Sequence, residues 1–185
     1  LNLMPSSWVP GPTINPIVDT GGVDQQIEAA VAGKLTGVFN GNGAEFHRRL
    51  QQAVMTRSRL RIPLIFGADV IHGYRTVFPV PLAEAASFEP ELATRTSRVA
   101  ATEAAAAGID WTFAPMVDVA RDARWGRGVE GSGEDPYLGA LFAAARVKGF
   151  QGNDLTADNA VLACIKHFAA YGAAEAGLDY STVDI

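Results

Sequence analysis

The sequence predicts an α/β fold built on a parallel sheet, and three observations predict it. Short apolar runs alternate with longer stretches whose apolar residues recur at helical spacing. The runs end at glycine, proline or a charged residue, as strands do where they meet loops. The polar residues able to do chemistry gather just after the runs. In βα architectures the C-terminal strand ends are where ligand-binding groups collect.

The elements follow in order. Residues 1–4 can supply an additional first strand, and Gly21-Gly22 reads as a turn rather than a linker. Asp24 is expected to cap a helix in which Ile27 and Val31 share a face and which ends near Gly33. Thr36-Gly-Val-Phe39 reads as a short buried strand. A helix from about Ala44 follows, with Phe46, Leu50, Ala53 and Val54 on one stripe. Ile62-Pro-Leu-Ile-Phe66 is the next expected strand and runs into Gly67-Ala-Asp69. Ser87 is the expected cap of an alanine-rich helix that ends before Gly108. Asp110-Trp-Thr-Phe-Ala114 follows as a strand stopped by Pro115. Asp135-Pro136 combines a capping acid with proline at the first helical position, and Leu138, Leu141, Phe142 and Ala145 give that helix its apolar face. Val161-Leu-Ala-Cys-Ile165 forms a further strand that carries Lys166 and His167 at its C-terminal end.

The sum is about four βα units plus a strand, in either a barrel or a doubly wound sheet. A complete eight-fold barrel takes about 250 residues. The 185 residues are therefore expected to hold part of one, ending at Val183-Asp184-Ile185 without a closing helix. Such a piece by itself is expected to expose strand edges and to aggregate, oligomerise or remain partly unfolded.

Composition narrows the function. With 48% hydrophobic and 19% charged residues the chain is an ordinary globular sequence. Fifteen basic and twenty acidic residues leave a net charge of −5, which offers no basic stripe for nucleic acid or anionic lipid. Arg57, Arg59 and Arg61 read as a solvated helix end. The single cysteine, Cys164, excludes an internal disulfide and lies in an apolar run, where an inert buried thiol is expected. No run approaches the roughly 20 apolar residues of a membrane span. The chain starts at Leu1 without a basic leader region, so a signal peptide has been removed or the sequence is internal.

Several chemistries lack their residues. His47 with His72, and His167 with Cys164, do not have zinc spacing on a shared element. Gly126-Arg-Gly-Val-Glu-Gly-Ser-Gly133 lacks the lysine and hydroxyl residue of a phosphate loop, and no serine sits in a nucleophile elbow. The expectation is no metal, no cofactor, and no covalent catalysis by serine or cysteine.

What remains is a charged loop and its neighbours. Arg121-Asp-Ala-Arg-Trp-Gly-Arg-Gly-Val-Glu130 packs three arginines, acids, glycines and a tryptophan between a strand and a helix. Ordering so charged a loop has a cost that a ligand would justify. Asp69 ends one strand, this loop follows another, and Lys166-His167 ends a third. Carboxylates accept from vicinal hydroxyls, and arginine, lysine and histidine donate to their oxygens, which suits a sugar. Asp69 facing arginine and lysine would supply the mutual compensation that buried charges need. Trp111, Trp125, Tyr74 and Tyr171 offer apolar faces, most of them are expected to be packing residues, and Trp125 can equally stack on a neighbouring guanidinium.

Six ordered motifs then match a family. Phe66-Gly-Ala-Asp-Val-Ile-His-Gly73, Thr76-Val-Phe-Pro79, Ala114-Pro-Met-Val-Asp-Val119, Arg121-Asp-Ala-Arg-Trp-Gly-Arg127, Gly133-Glu-Asp-Pro136 and Ile165-Lys-His-Phe-Ala169 together resemble the N-terminal domain of glycoside hydrolase family 3, in particular bacterial β-glucosidases of the periplasmic type. The resemblance implies a partial TIM-type (β/α)8 barrel of about the first four to five βα units, filling residues 1–185. It implies a retaining, exo-acting β-glucosidase acting on a β-glucoside or oligosaccharide, located in the periplasm or secreted. By position it implies that Asp69, Arg127, Lys166 and His167 bind the terminal glucosyl unit. Glu130 and Tyr171 would support them, and Glu134 and Asp135 would help to place the arginine loop.

The family nucleophile is an aspartate in a Ser-Asp motif on a later strand, and the acid/base lies further downstream. This sequence contains no Ser-Asp dipeptide. The expectation is a piece of an enzyme that carries the subsite, with no catalytic residue and with the C-terminal part of the parent as its missing partner. Related β-N-acetylhexosaminidases carry a second histidine where Tyr171 stands, so the glucosidase or xylosidase branch is favoured. A non-catalytic sugar-binding remnant, or an unrelated barrel enzyme acting on phosphorylated substrates, stays open.

Overall fold

The computed structural model describes residues 2–6, 22–41 and 43–183. Their regular elements are β1 (Leu3–Pro5), α1 (Gly22–Val31), β2 (Gly37–Phe39), α2 (Ala44–Arg57), β3 (Ile65–Ala68), α3 (Pro81–Ala85), α4 (Pro90–Ala106), β4 (Trp111–Thr112) and α5 (Pro136–Gln151). Short 3-10 turns stand at Gly126–Glu130, Tyr171–Ala173 and Glu175–Gly177.

The strands pair in parallel, and their order in the sheet, β1-β2-β3-β4, is their order in the chain. A doubly wound sheet reverses direction at a switch point, whereas a barrel wall is wound one way. The sheet is therefore a mixed α/β wall of the barrel kind. The expected strand at 161–165 continues that wall without becoming regular. Parallel bridges join Trp111 to Leu162 and Met116 to Lys166. Cys164 N donates to the Ala114 carbonyl at 2.9 Å and Val117 N to the Lys166 carbonyl at 2.7 Å. The partner edge is interrupted at Pro115, which has no N–H to give the ladder.

Several boundaries differ from expectation for identifiable reasons. Helix α1 already begins at Gly22, so Asp24 lies in its first turn instead of capping it, and pairs with Arg49 at 3.2 Å. Gly21 of the expected turn lies outside the described residues. Strand β3 starts at Ile65 rather than Ile62, because Pro63 cannot donate and Leu64 N is engaged by Gln51 Oε1 at 2.8 Å. Ser87 does not cap α4. That helix starts at Pro90, while Ser87 Oγ accepts from Glu89 N at 3.1 Å in a local turn. The short α3, opened by Pro81, has no counterpart among the expected elements. Asp135 does cap α5, accepting from Tyr137 N at 2.8 Å and Leu138 N at 3.4 Å. On α5, Phe142 and Ala145 are buried, while Leu141 sits on the shoulder of the helix and is 41% exposed.

The core has three parts. Ile27 and Ala30 of α1 and Phe46, Leu50 and Val54 of α2 cover β2 and β3 through Val38 and Phe66. Ala100, Ala101 and Ala104 of α4 bring that helix close to Ile109, Phe150 and Val161. Ala85, Ala93, Phe142 and Ala145 join α3, α4 and α5. Across this last junction Arg146 donates to Glu84 at 2.8 Å, both side chains being almost fully buried, and Thr96 adds a hydrogen bond to the same carboxylate. His47 is also a core residue. Its ring stacks on Phe66 at 4.2 Å, it pairs with the Ala107 carbonyl, and burial lowers its pKa.

Helices α4 and α5 approach most closely at Gly149, where a Cβ would lie 2.5 Å from Ser97 Cβ and 2.6 Å from the Thr94 carbonyl oxygen. Backbone cannot yield that much. Gly149→Val is expected to destabilise the protein by about 1–3 kcal/mol or more through overpacking, read as a lower urea midpoint. An unchanged midpoint would show that the two helices separate freely.

Candidate active-site rim

Three loops converge at the C-terminal end of the wall. Asp69 follows β3 directly. The loop after β4 runs from Pro115 to the start of α5. The irregular fifth segment ends in Lys166 and His167.

The arginine loop is shaped by its own short-range bonds. Asp122 takes Arg124 in a local clasp with a 2.6 Å ion pair, and that arginine holds the carboxyl down at about 2. Arg121 N donates to the Gly172 carbonyl at 3.0 Å, and Ala120 N to that of Gly133 at 3.1 Å. The chain then coils into the 3-10 turn Gly126–Glu130. In such a turn residues i and i+3 lie one above the other. Arg127 and Glu130 thereby meet as a bidentate pair, Nε to Oε1 at 2.6 Å and Nη2 to Oε2 at 2.9 Å. The guanidinium holds Glu130 below the usual carboxylate range, and the same bond raises the arginine further above its own.

Lys166 closes the rim electrostatically. Its Nζ stands 3.6 Å from Asp69 Oδ1 and 3.7 Å from Glu130 Oε2, with the side chain 13% exposed. At those separations the pairs are Coulombic rather than hydrogen-bonded. Asp69 is fixed from the other side by Asn40 at the end of β2. Asn40 Nδ2 donates to Asp69 Oδ2 at 3.1 Å, and Asp69 N donates to Asn40 Oδ1 at 3.0 Å. The expected facing of Asp69 by an arginine is not what forms. Its charged partner is Lys166, and Arg127 is taken by Glu130.

His167 is held by Asp118. One carboxylate oxygen, Oδ2, receives both the His167 backbone N–H at 3.0 Å and ring Nδ1 at 2.8 Å. Tyr171 stands against the opposite flank of the rim. Its ring meets His167 edge-on at 4.8 Å, and the Arg127 guanidinium carbon lies 5.5 Å from its centroid.

The six residues singled out in the sequence, Asp69, Arg127, Glu130, Lys166, His167 and Tyr171, thus share one rim. Most of the aromatics pack, as expected. Trp125 is 3% exposed and turns its edge to Tyr171, so it neither offers a face to solvent nor stacks on arginine. Trp111 packs against Phe113, and Tyr74 packs on the α4 core. Of the acids beside the loop, Asp135 is engaged as the cap of α5 and Glu134 is exposed. Asn40, Asp118 and Asp179 are the contributors that sequence reasoning missed. Asn40 stands at the end of β2 and could have been found by that rule, whereas Asp118 lies beyond Pro115 in the loop after β4. Asp179, which accepts from Trp125 Nε1 and the Tyr171 hydroxyl, had no local signal. Among the described residues no group of three His, Cys, Asp or Glu side chains could hold a metal ion. No helix among them is long and apolar enough to cross a membrane.

A sequence model described as the glycosyl hydrolase family 3 N terminal domain matches residues 23–185. A periplasmic beta-glucosidase of Salmonella typhimurium is 48% identical over 153 residues, covering 83% of this chain and 20% of that protein. A putative beta-xylosidase of Formosa agariphila is 34% identical over 148 residues, 77% of this chain and 20% of that protein. The beta-glucosidase from Listeria innocua in complex with glucose superposes with a TM-score of 0.82 at 42% identity, covering 99% of this chain and 26% of that one. The chain spans about a fifth of the length of these curated relatives.

The Arg127–Glu130 pair carries a pH signature. A carboxyl whose folded pKa is depressed contributes stability above its unfolded value, near 4.3, and loses it as pH falls through the folded value. The stability gap between wild type and Glu130→Gln is therefore expected to be constant above about pH 5 and to shrink below about pH 4. Urea midpoints across that range measure it. A gap that is flat throughout would mean that the pair adds nothing.

Proposed function

This chain belongs to the glycosyl hydrolase family 3 N-terminal domain family, and from that premise we propose that residues 1–185 form the opening βα units of the barrel of a retaining, exo-acting β-glucosidase. In this reading the rim holds the terminal glucosyl unit of a β-glucoside or oligosaccharide. The observation that carries it is Lys166, set between Asp69 and Glu130 at distances too long for hydrogen bonds. Its ammonium donors are left for a ligand that brings oxygens and no charge.

Each residue then has a task. Asp69, 44% exposed, accepts from a pair of hydroxyls, and Asn40 keeps its carboxylate in place. Glu130 occupies the Nε and Nη2 edge of Arg127, so the Nη1 edge meets the sugar. Asp118 engages His167 Nδ1, so Nε2 is the ring atom turned to a hydroxyl. Tyr171 backs Arg127 and His167. These groups bind and orient, and charged partners already compensated by one another can hydrogen-bond a neutral sugar without a net charge to bury.

Bond cleavage with retention needs a carboxylate nucleophile that attacks the anomeric carbon on the face away from the leaving oxygen, and a carboxylic acid that protonates that oxygen. The Ser-Asp dipeptide that marks the family nucleophile is not in these 185 residues. We assign the chemistry to further parts of a longer polypeptide, acting in the periplasm or outside the cell, as the name of the Salmonella relative suggests. A β-xylosidase is the second reading, favoured by the likeness to the Formosa agariphila protein. Xylose lacks the hydroxymethyl group of glucose, so relative kcat/KM on aryl β-glucoside and aryl β-xyloside separates the two.

Two measurements test the assignment. Arg127→Ala in the full-length protein is expected to weaken glucose binding by about 2–5 kcal/mol, because Glu130 loses its partner as well as the sugar its donor. Calorimetric titration reads it, and unchanged affinity would sink the subsite. The 185-residue chain on its own is expected to give no turnover of an aryl β-glucoside. Measurable hydrolysis would place the catalytic carboxylates within it.

A further inference from the structure

We propose that Asp179 is a positioning residue of this site, setting through Tyr171 where both Arg127 and His167 stand. The proposal rests on the glucosyl-binding reading above. Asp179 Oδ1 accepts from the Tyr171 hydroxyl at 2.6 Å and from Trp125 Nε1 at 3.0 Å. A short bond from a hydroxyl to a carboxylate is among the stronger kinds, and here it pins one end of an aromatic ring. The Trp125 bond ties the same carboxylate to the residue that immediately precedes the Gly126–Glu130 turn. Both bonds favour the charged carboxylate, whose pKa is lowered, while burial and the bond to Asp179 push the Tyr171 phenol up to about 12.

The pinned ring has two working sides. Arg127 lies over it at 5.5 Å, and His167 meets it edge-on at 4.8 Å. Those two residues come from different loops, and Tyr171 touches both. The segment that delivers Asp179 is itself held close. A Cβ on Gly177 would lie 2.7 Å from Trp125 N, so the backbone here runs flush against the arginine loop. Glu175 N bonds the Thr182 carbonyl at 3.0 Å, and Thr182 Oγ1 bonds Glu175 Oε2 at 2.9 Å, which closes the segment around Asp179. Asp179 and the Tyr180 side chain are otherwise exposed, and neither belongs to the hydrophobic core. Losing the carboxylate frees the Tyr171 ring, and the binding residues must then be ordered by the ligand at a cost in affinity.

The experiment is glucose titration of the full-length protein, well below its melting temperature. Five variants are compared: Asp179→Leu, Asp179→Asn, Tyr171→Phe, the double Asp179→Leu/Tyr171→Phe, and Arg127→Ala. Asp179→Leu is expected to weaken glucose about tenfold. Asp179→Asn, whose amide oxygen can still accept from both donors, is expected to keep most of the affinity. Tyr171→Phe adds little on top of Asp179→Leu, because the two changes break the same link. Wild-type affinity in Asp179→Leu, with binding lost in Arg127→Ala, overturns the proposal and leaves the subsite standing. Wild-type affinity in Arg127→Ala overturns the subsite itself. If Asp179→Leu does not fold, Tyr171→Phe alone decides: a several-fold loss supports the link, and unchanged affinity overturns it.

Discussion

One carboxylate answers two cations, and the rest of the rim depends on it. Glu130 engages Arg127 through both oxygens at 2.6 and 2.9 Å and stands 3.7 Å from Lys166. Removing that charge would leave two cations side by side, and Asp69 alone could not compensate both. In the reading proposed above, the balance bears on the kind of ligand as well. Cations already matched by acids do not call for an anion. On that reading the cations donate to a polar, neutral molecule and the acids accept from it.

The wall brings these residues together by simple winding. Each strand lies beside the previous one, so Asn40, Asp69, the β4 loop and Lys166 arrive at consecutive positions along one edge. Neighbouring strands are about 4.8 Å apart, a spacing that side chains reach across easily. Helices α1, α2 and α4 cover the outer face and fix the strand ends that carry the chemistry. The close contact of α4 with α5 at Gly149 and the buried Glu84–Arg146 pair then anchor the far end of the arginine loop, since α5 begins where that loop stops.

Much of this was legible in the sequence, and the reasons are local. Alternating periodicity named the βα repeat. Asp135-Pro136 marked a helix start that the structure retains, and the polar residues after Phe66, Ala114 and Ile165 marked the rim. Prolines displaced the remainder. Pro63 delays β3, Pro115 breaks the pairing of the fifth segment, and Pro90 rather than Ser87 opens α4. The choice between barrel and doubly wound sheet needed strand order, which no local pattern contains. Asp179 was invisible because its partners, Trp125 and Tyr171, are distant from it in one case and separated by irregular turns in the other.

In the proposed function this rim grips a terminal glucosyl unit. A crystal structure of the full-length protein with glucose tests it most directly. The expected result is a ring whose hydroxyls lie within about 3.2 Å, hydrogen-bond reach, of Asp69, Arg127, Lys166 and His167, with the Arg127–Glu130 pair intact. Glucose bound elsewhere in the barrel, with these four side chains unengaged, would contradict it.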